Sequence, residues 1–289
     1  MADYITEFIP EIWSAKILDD KKKIHVFGGL ANRDYEGEIK QKGDKVRIPQ
    51  VGHPTVQSYT RNNFGTGLTK EYANVSAMDL TVDQEKYINV LFDDIDVAQS
   101  SVNFIPTLQK NSAYQLAQTQ DTYIAGLYGQ AGLSSTSNSA TSYVTIGSSN
   151  ARTELLLMGK TFTVNNIPMD RRWLAIPPAL EFELIDAGIL EQSNNDQLWV
   201  DGTLMGRRAY GWNIIVSNNL SSPSTDTDQY RILCGYANES ISMAEQITKM
   251  KMGELDQEGF GSYLKMLHVY GARLIPDRTG VIYAKVTNS

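Results

Sequence analysis

The sequence predicts a fold of the mixed α+β class, in which helices and strands pack around shared cores. Some segments alternate apolar and polar residues, as half-buried strands do, whereas others repeat apolar residues at spacings of three and four, as helices do. The composition is that of a globular protein, with 42% hydrophobic and 20% charged residues in a chain of 289, and it excludes a mainly disordered chain. This length suggests about two domains.

The first 35 residues are predicted to form an arm. Four large apolar residues, Phe8, Ile9, Ile12 and Trp13, stand close together, and a polar run at 19–23 follows them. So short a segment cannot hold itself folded in water. We therefore expect Phe8, Ile9 and Trp13 to pack against a neighbouring subunit or against the longest helix of the fold.

A long two-stranded excursion is predicted over residues 36–92. Residues 45–48 alternate like a half-buried strand that stops at Pro49. From Met78 to Phe92 the apolar residues stay on even positions, which predicts one strand of about 50 Å. Such a ribbon is at best marginally stable in water, so we expect a neighbouring subunit to cover its tip; the alternative is a hairpin folded back on its own subunit. Its candidate contact residues are Lys45, Arg47, Tyr59, Arg61 and Lys70.

A long helix is predicted from Pro106 to about Gly129. Proline suits the first turn of a helix, and apolar residues such as Leu116 and Ile124 repeat at helical spacing. We expect this helix to be the spine of the fold. The prediction for the rest of the chain is, in order, a helix after Asn150, a strand at 173–176, a helix at 179–190, strands at 212–216 and 231–235, a Met-rich helix at 241–250, and two strands at 264–275 and 281–286.

The sequence contains no recognisable catalytic or cofactor motif. A phosphate-binding loop, a nucleophile elbow and a zinc-binding His-Glu-x-x-His segment are all absent. We therefore predict no catalytic residue, no cofactor and no metal ion. Asp93, Asp94 and Asp96 are predicted to complement the positive end of the helix that follows. The alternative is an acidic α+β enzyme that uses Asp93 and Asp96, and metal retained after dialysis would favour it.

Charge and apolar patterning exclude further classes. The formal net charge is −7, which argues against a protein that binds DNA over its whole surface, although residues 36–72 hold a small excess of positive charge. The longest apolar stretch, at 173–180, is too short to span a membrane. The acidic N-terminus does not match a secretory signal, and Cys234 has no partner cysteine. We expect a protein that is intracellular when it is made.

Several segments, taken together in their order and spacing, resemble the major capsid proteins of tailed bacteriophages, which have the Hong Kong 97-type fold. These segments are FIPEIWS at 8–14, GDKVRIP at 43–49, FDDID at 92–96, IPMDRRWLAIPP at 167–178, GW at 211–212 with SNNL at 217–220, and VYGAR at 269–273. No single one of them is highly specific. The resemblance covers most of the chain.

The resemblance implies a shell protein without catalysis. It implies hexamers and pentamers that close an icosahedral shell around packaged double-stranded DNA, which is contacted non-specifically, in a virion assembled in the host bacterial cytoplasm. Because the arm begins almost at once, a separate scaffolding protein or an already processed start is expected, together with a portal. The implied division is an N-terminal arm (1–35), an extended loop (36–92), a peripheral domain with the spine helix (93–130 and 251–289) and an axial domain (131–250). The candidate assembly residues are Phe8, Ile9, Trp13, Lys45, Arg47, Tyr59, Arg61, Lys70, Arg171 and Arg172.

A second kind of shell protein is an alternative. The shell proteins of bacterial nanocompartments, the encapsulins, resemble the same fold but enclose a cargo enzyme instead of DNA. The content of purified particles would separate the two.

Overall fold

The computed structural model describes residues 26–35, 45–61, 68–93, 105–133, 143–190, 199–200, 203–204, 208–220, 229–255 and 260–285. The helices of this part of the chain are α1 (Phe27–Leu30), α2 (Ile105–Gly126), α3 (Ala151–Val164) and α4 (Pro178–Asp186), with 3₁₀ turns at Leu127–Gln130 and Pro276–Arg278. Its strands are β1 (Lys45–Val51), β2 (Val75–Thr81), β3 (Gln84–Asp93), β4 (Val144–Thr145), β5 (Arg172–Ile176), β6 (Trp199–Val200), β7 (Thr203–Leu204), β8 (Arg208–Ala209), β9 (Trp212–Val216), β10 (Gln229–Tyr236), β11 (Ile241–Glu254), β12 (Gly261–Leu274) and β13 (Thr279–Lys285).

A six-stranded sheet in the order β4–β13–β10–β5–β9–β8 forms the centre of the subunit. Strand β5 is apolar on both faces and is buried along its whole length. Leu174 and Ile176 join a core cluster with the buried residues of α3 and α4, whereas Trp173 and Ala175 join a second cluster with α1 and α2. The sheet therefore lies between two helical layers of its own subunit. The predicted strands at 173–176, 212–216 and 231–235 are confirmed.

Helix α2 is the predicted spine. Its 22 residues give a rod of about 33 Å. The buried stripe contains Leu116 and Ile124, as the spacing predicts, but it also contains the polar residues Gln120 and Asp121. Both polar side chains make hydrogen bonds to other elements, so the buried face of α2 is a set of polar anchors as well as an apolar stripe.

A three-stranded antiparallel sheet, in the order β11–β12–β3, packs one face against α2. The ring of Tyr123 on α2 meets the ring of Tyr270 on β12 edge to face, with centroids 5.7 Å apart. A separate antiparallel ribbon, β1 with β2, runs from Lys45 opposite Thr81 to Val51 opposite Val75. The pairing of these two strands confirms the two-stranded excursion at its base.

Two predicted elements are wrong. The Met-rich helix at 241–250 is strand β11, whose first residues are buried on both faces, so that no alternation marks it. The single long strand from Met78 to Phe92 is two strands. β2 pairs with β1, whereas β3 crosses to β12, and the two strands are separated at Val82 and Asp83. The ribbon is therefore shorter than the sequence predicts.

Candidate assembly interface

The end of the β1–β2 ribbon is the most exposed apolar part of the described chain. All described residues of 52–61 and 68–74 are exposed, and among them Val56 is 96% and Tyr72 is 95% exposed. Tyr59 and Leu68 add further apolar surface on the same ribbon. Several large apolar side chains exposed on one ribbon indicate an interaction site.

The two limbs of the ribbon remain joined beyond the last paired residues. The Gly52 amide donates to the Asn74 carbonyl oxygen at 2.8 Å. Further out, the Thr55 amide donates to Glu71 Oε2 at 2.8 Å and the Thr55 hydroxyl donates to Glu71 Oε1 at 3.2 Å. These bonds give the exposed limbs a defined pairing without any contact to a core.

The base of the ribbon is fixed to the body of the subunit. Val46 and Leu80 are buried in a small cluster with Val269 of β12. The Arg273 guanidinium donates to the carbonyl oxygen of Asp79 at 2.7 Å. A rigid base and an uncovered end are the geometry of an element that reaches out of its own subunit.

The basic residues of the ribbon differ in their surroundings. Arg47 Nε lies 3.3 Å from Asp79 Oδ1, directly across the ribbon, in an exposed ion pair that contributes at most about 1 kcal/mol. Lys45, Arg61 and Lys70 are exposed, and no carboxylate of the described residues pairs with them. Positive charge is therefore available on an otherwise acidic chain.

The adjacent residues Arg171 and Arg172 have unlike environments. Arg171 stacks on the ring of Tyr236, with its guanidinium carbon 4.9 Å from the ring centroid, and donates to the Tyr236 hydroxyl at 3.0 Å. This hydrogen bond raises the pKa of Arg171 above its ordinary value, and Asp170 lies 3.5 Å away as an ion-pair partner. Arg171 is exposed and remains a candidate contact residue.

Arg172 lies inside the subunit. It is 2% exposed, and burial lowers the pKa of its guanidinium. Its N–H groups donate to the carbonyl oxygens of Pro168, Gly159 and Ile167 and to the Thr163 hydroxyl. Its side chain holds the turn between α3 and β5 together, and no free surface of it is left for a neighbour.

The other candidate residues fall partly outside the described chain. Phe8, Ile9, Trp13, Asp94 and Asp96 all lie outside the described residues. Asp93 is the exposed last residue of β3. Across the described ranges, no three His, Cys, Asp or Glu side chains come together as metal ligands.

Sequence reasoning missed a buried carboxylate on the spine. Asp121 is 2% exposed, and it accepts hydrogen bonds from the backbone amides of Val26, Phe27 and Gly28 at 2.7, 3.0 and 3.4 Å. The side-chain amide of Asn219 adds a fourth donor at 3.4 Å. Asp121 thus holds the segment that begins at Val26, the first described residue, against α2.

A second polar cluster joins the spine to the three-stranded sheet. Glu245 lies 3.0 Å from the His268 imidazole, accepts a hydrogen bond from Gln120 at 3.0 Å, and pairs with Arg33 at 3.3 Å. The hydrogen bond with His268 lowers the pKa of Glu245 to about 2, and Gln120 and Arg33 act in the same direction. No sequence motif indicates this cluster, because its members are far apart in the chain.

The face of the three-stranded sheet that is turned away from α2 carries a groove of about 340 Å³. Its lining includes Tyr87, Lys249, Lys251, Lys265 and Leu267. Tyr87 is 76% exposed, and the three lysines of the groove are exposed as well. It is a second surface that the described part of the subunit leaves uncovered.

The described subunit thus combines a central sheet, a spine helix packed on a three-stranded sheet, and a ribbon with an uncovered end. A family model described as a phage capsid protein matches residues 78–284, which is more than half of the chain. The chain therefore belongs to the phage capsid protein family.

Solved structures agree with this assignment. A chain from Mycobacterium phage Che8 is 27% identical with a TM-score of 0.78, over 95% of this chain and 97% of that one. The capsid of Cyanophage P-SCSP1u is 18% identical with a TM-score of 0.76, over 99% and 96% of the two chains. The mature capsid of bacteriophage PhiM1 is 14% identical with a TM-score of 0.69, over 98% and 93%. The last two show the fold alone.

The search of curated proteins returned no match. The family and the structural matches confirm the resemblance to major capsid proteins and the Hong Kong 97-type fold. The protein is a major capsid protein that forms the shell of a bacteriophage virion, and the nanocompartment alternative is not favoured. In the described part of the chain, no helix is both long and apolar enough to cross a membrane.

Proposed function

We propose that the chain assembles into hexamers and pentamers that close an icosahedral shell around the packaged double-stranded DNA of a tailed phage. The observation that carries this proposal is the projecting ribbon, whose apolar side chains have no partner surface within the described subunit. Apolar side chains of this size stabilise an interface by about 1.5 to 3 kcal/mol each when they are buried. A second copy of the chain supplies the surface that buries them.

The division into parts belongs to the same proposal. Residues 1–35 form the arm, 36–92 the extended loop, 93–130 with 251–289 the peripheral domain, and 131–250 the axial domain. The arm, through Phe8, Ile9 and Trp13, and the loop, through Lys45, Arg47, Tyr59, Arg61 and Lys70, make the contacts between subunits. Arg171 contributes from the axial domain.

The proposed partners follow from the role of a shell. A separate scaffolding protein guides assembly in the host bacterial cytoplasm, a portal occupies one vertex, and the packaged DNA is contacted without sequence preference. The protein acts structurally and catalyses no reaction. The membership of a structural family supports this assignment.

The loop provides the sharpest test. Replacement of residues 54–70 by a short Gly/Ser turn removes Val56, Tyr59 and Leu68 and leaves the fixed base of the ribbon in place. We expect a soluble subunit with native-like circular dichroism that no longer forms shells in negative-stain micrographs. The reason is that most of the apolar contact surface, all of it except Tyr72, is gone while both core clusters are untouched.

A matched control replaces exposed apolar side chains away from the ribbon. Val164→Ser with Met169→Ser removes two such side chains near the end of α3 and is expected to leave shell formation intact. Normal shells from the loop variant would show that the loop only decorates the surface. An unfolded loop variant would show that the loop belongs to the core of its own subunit. Either result contradicts the proposal.

A further inference from the structure

The groove on the three-stranded sheet concentrates positive charge on an acidic protein. Lys251 and Lys265 are paired directly across β11 and β12, and Lys249 lies two residues further along the same face. Like charges in directly opposed positions of a sheet repel each other. No carboxylate of the described residues pairs with these lysines. Only Lys265 has a compensating contact, since its ammonium lies 4.2 Å from the ring centroid of Tyr263.

The groove is also apolar. Tyr87 lies opposite Leu267 on β12, and Leu91 on the same face of β3 is 54% exposed. A ligand that matches this surface carries carboxylates for the lysines and large apolar side chains for the ring of Tyr87 and the adjoining aliphatic surface.

We propose that the groove binds residues 6–13 of the N-terminal arm of a neighbouring copy, an inference that rests on the proposed assembly into shells. This segment reads TEFIPEIW, so Glu7 and Glu11 alternate with large apolar residues, of which Trp13 is the largest. Residues 1–20 contain five carboxylates and one lysine. The charge and the apolar character of residues 6–13 are therefore complementary to those of the groove.

The geometry assigns the groove to a neighbour's arm. Val26, the first described residue of the chain, is held against α2 by Asp121. Helix α2 packs on the face of the sheet that carries Tyr270, whereas the groove opens on the opposite face. To reach its own groove, an arm would have to turn around the edge of the sheet within the 12 residues that lie between Trp13 and Val26. The arm of a neighbouring copy is not bound by this limit of chain length.

A charge exchange tests the pairing in the full-length chain. The groove variant carries Lys251→Glu and Lys265→Glu, and the arm variant carries Glu7→Lys and Glu11→Lys. Each variant alone is expected to raise the protein concentration needed for shell formation by about tenfold, a change that corresponds to about 1.4 kcal/mol. The chain with all four substitutions is expected to assemble like the wild type, because every contact again joins opposite charges and the net charge is unchanged.

Mixing the two variants distinguishes an arm that binds the groove of a neighbouring copy from an arm that binds its own groove. In a one-to-one mixture, the acidic arm of the groove variant meets the basic groove of the arm variant, and the basic arm meets the reversed groove. Shells from the mixture therefore support binding between copies. If the four-substitution chain assembles but the mixture does not, the arm occupies its own groove and the proposal is wrong.

The control has the same charge change elsewhere. Lys110→Glu with Lys160→Glu alters two exposed lysines on α2 and α3 and is expected to leave the assembly concentration within about twofold of the wild type. Normal assembly of the groove variant overturns the proposal. A groove variant that forms normal shells with less packaged DNA also overturns the proposal, because the lysines would then bind the phosphate groups of the DNA.

A cross-link distinguishes this inference from the proposed function. If the wild type forms no shell under any condition, the proposed assembly fails, and the arm contact is tested on the soluble chain. The variant Trp13→Cys with Lys249→Cys has only one other cysteine, the buried Cys234. Oxidation is expected to give disulfide-linked pairs of chains on a denaturing gel. Their absence, or a link within one chain, overturns the inference.

Discussion

Removal of the Asp121 carboxylate is expected to loosen the start of the folded body. Asp121→Ala leaves the amides of Val26 and Phe27 without their acceptor, and a buried donor without a partner costs about 1 to 3 kcal/mol. Residues 26–28 can instead detach from the body. The loss of stability then cannot exceed what the packing of these residues contributes, which includes the fully buried Phe27 ring against Trp173. We expect the free energy of unfolding to fall by about 2 to 4 kcal/mol.

Urea denaturation measures the loss, and amide hydrogen exchange at Val26 and Phe27 locates it. Asp121→Asn keeps one acceptor oxygen and is expected to fall between the wild type and the alanine variant. The control is Asp186→Ala, an exposed carboxylate at the end of α4, with an expected change within about 0.5 kcal/mol. A loss below about 0.5 kcal/mol for Asp121→Ala, with unchanged exchange at Val26, would refute the reasoning.

Two further outcomes are expected from the buried polar groups. Arg172→Ala leaves several buried carbonyl oxygens without a donor and is expected to lower the free energy of unfolding, measured with urea, by about 3 kcal/mol or more. Arg171→Ala is expected to lower it by less than about 1 kcal/mol. Equal losses would contradict the difference in burial between the two arginines. The pKa of Glu245 is lower in the folded state than its ordinary 4.5, so its stabilisation is complete above pH 4.5 and is lost as the pH falls toward about 2. The wild type is therefore expected to lose stability relative to Glu245→Gln across that interval, and parallel pH profiles of the urea midpoint would show that the Glu245 cluster stabilises nothing.

The fold could be predicted where burial alone determines the spacing of the apolar residues. The apolar run of β5 and the helical spacing of α2 follow directly from burial, and the structure has both. Alternation, however, reports which face a residue lies on and not which strand it pairs with. Leu80 and Ile88 stay in phase although β2 pairs with β1 and β3 pairs with β12, so the sequence could not show the break between them.

Strand β11 shows a different cause of error. Met243 and Ala244 are both fully buried, so the strand begins without alternation, and a β-bulge between Glu245 and Ile247 then shifts the phase of the remaining residues of the strand. Methionine also favours helices. Neither the double burial nor the bulge has a signature in a single sequence, and together they hide a strand of 14 residues.

The candidate site was predictable only in its exposed part. The ribbon could be found because an excursion of turn-forming and apolar residues has no core within reach. Arg171 and Arg172 could not be told apart, since the difference between them is whether backbone carbonyl oxygens surround the guanidinium. The pairing of His268 with Glu245 and the anchoring of Val26 by Asp121 both join distant segments, and they depend on the packing of α2.

The arrangement of the cores makes stability and assembly separable. Both faces of the central sheet are covered by helices of the same subunit, so the folded subunit does not depend on a neighbour for its main burial. The ribbon end and the lysine groove have the opposite property, because their side chains are exposed in the subunit. Substitutions such as Arg172→Ala are therefore expected to lower the unfolding free energy and shell formation together. Substitutions such as Tyr59→Ser or Leu68→Ser are expected to reduce shell formation while the urea midpoint stays unchanged, and a shifted midpoint at either position would mean that the surface is packed within its own subunit.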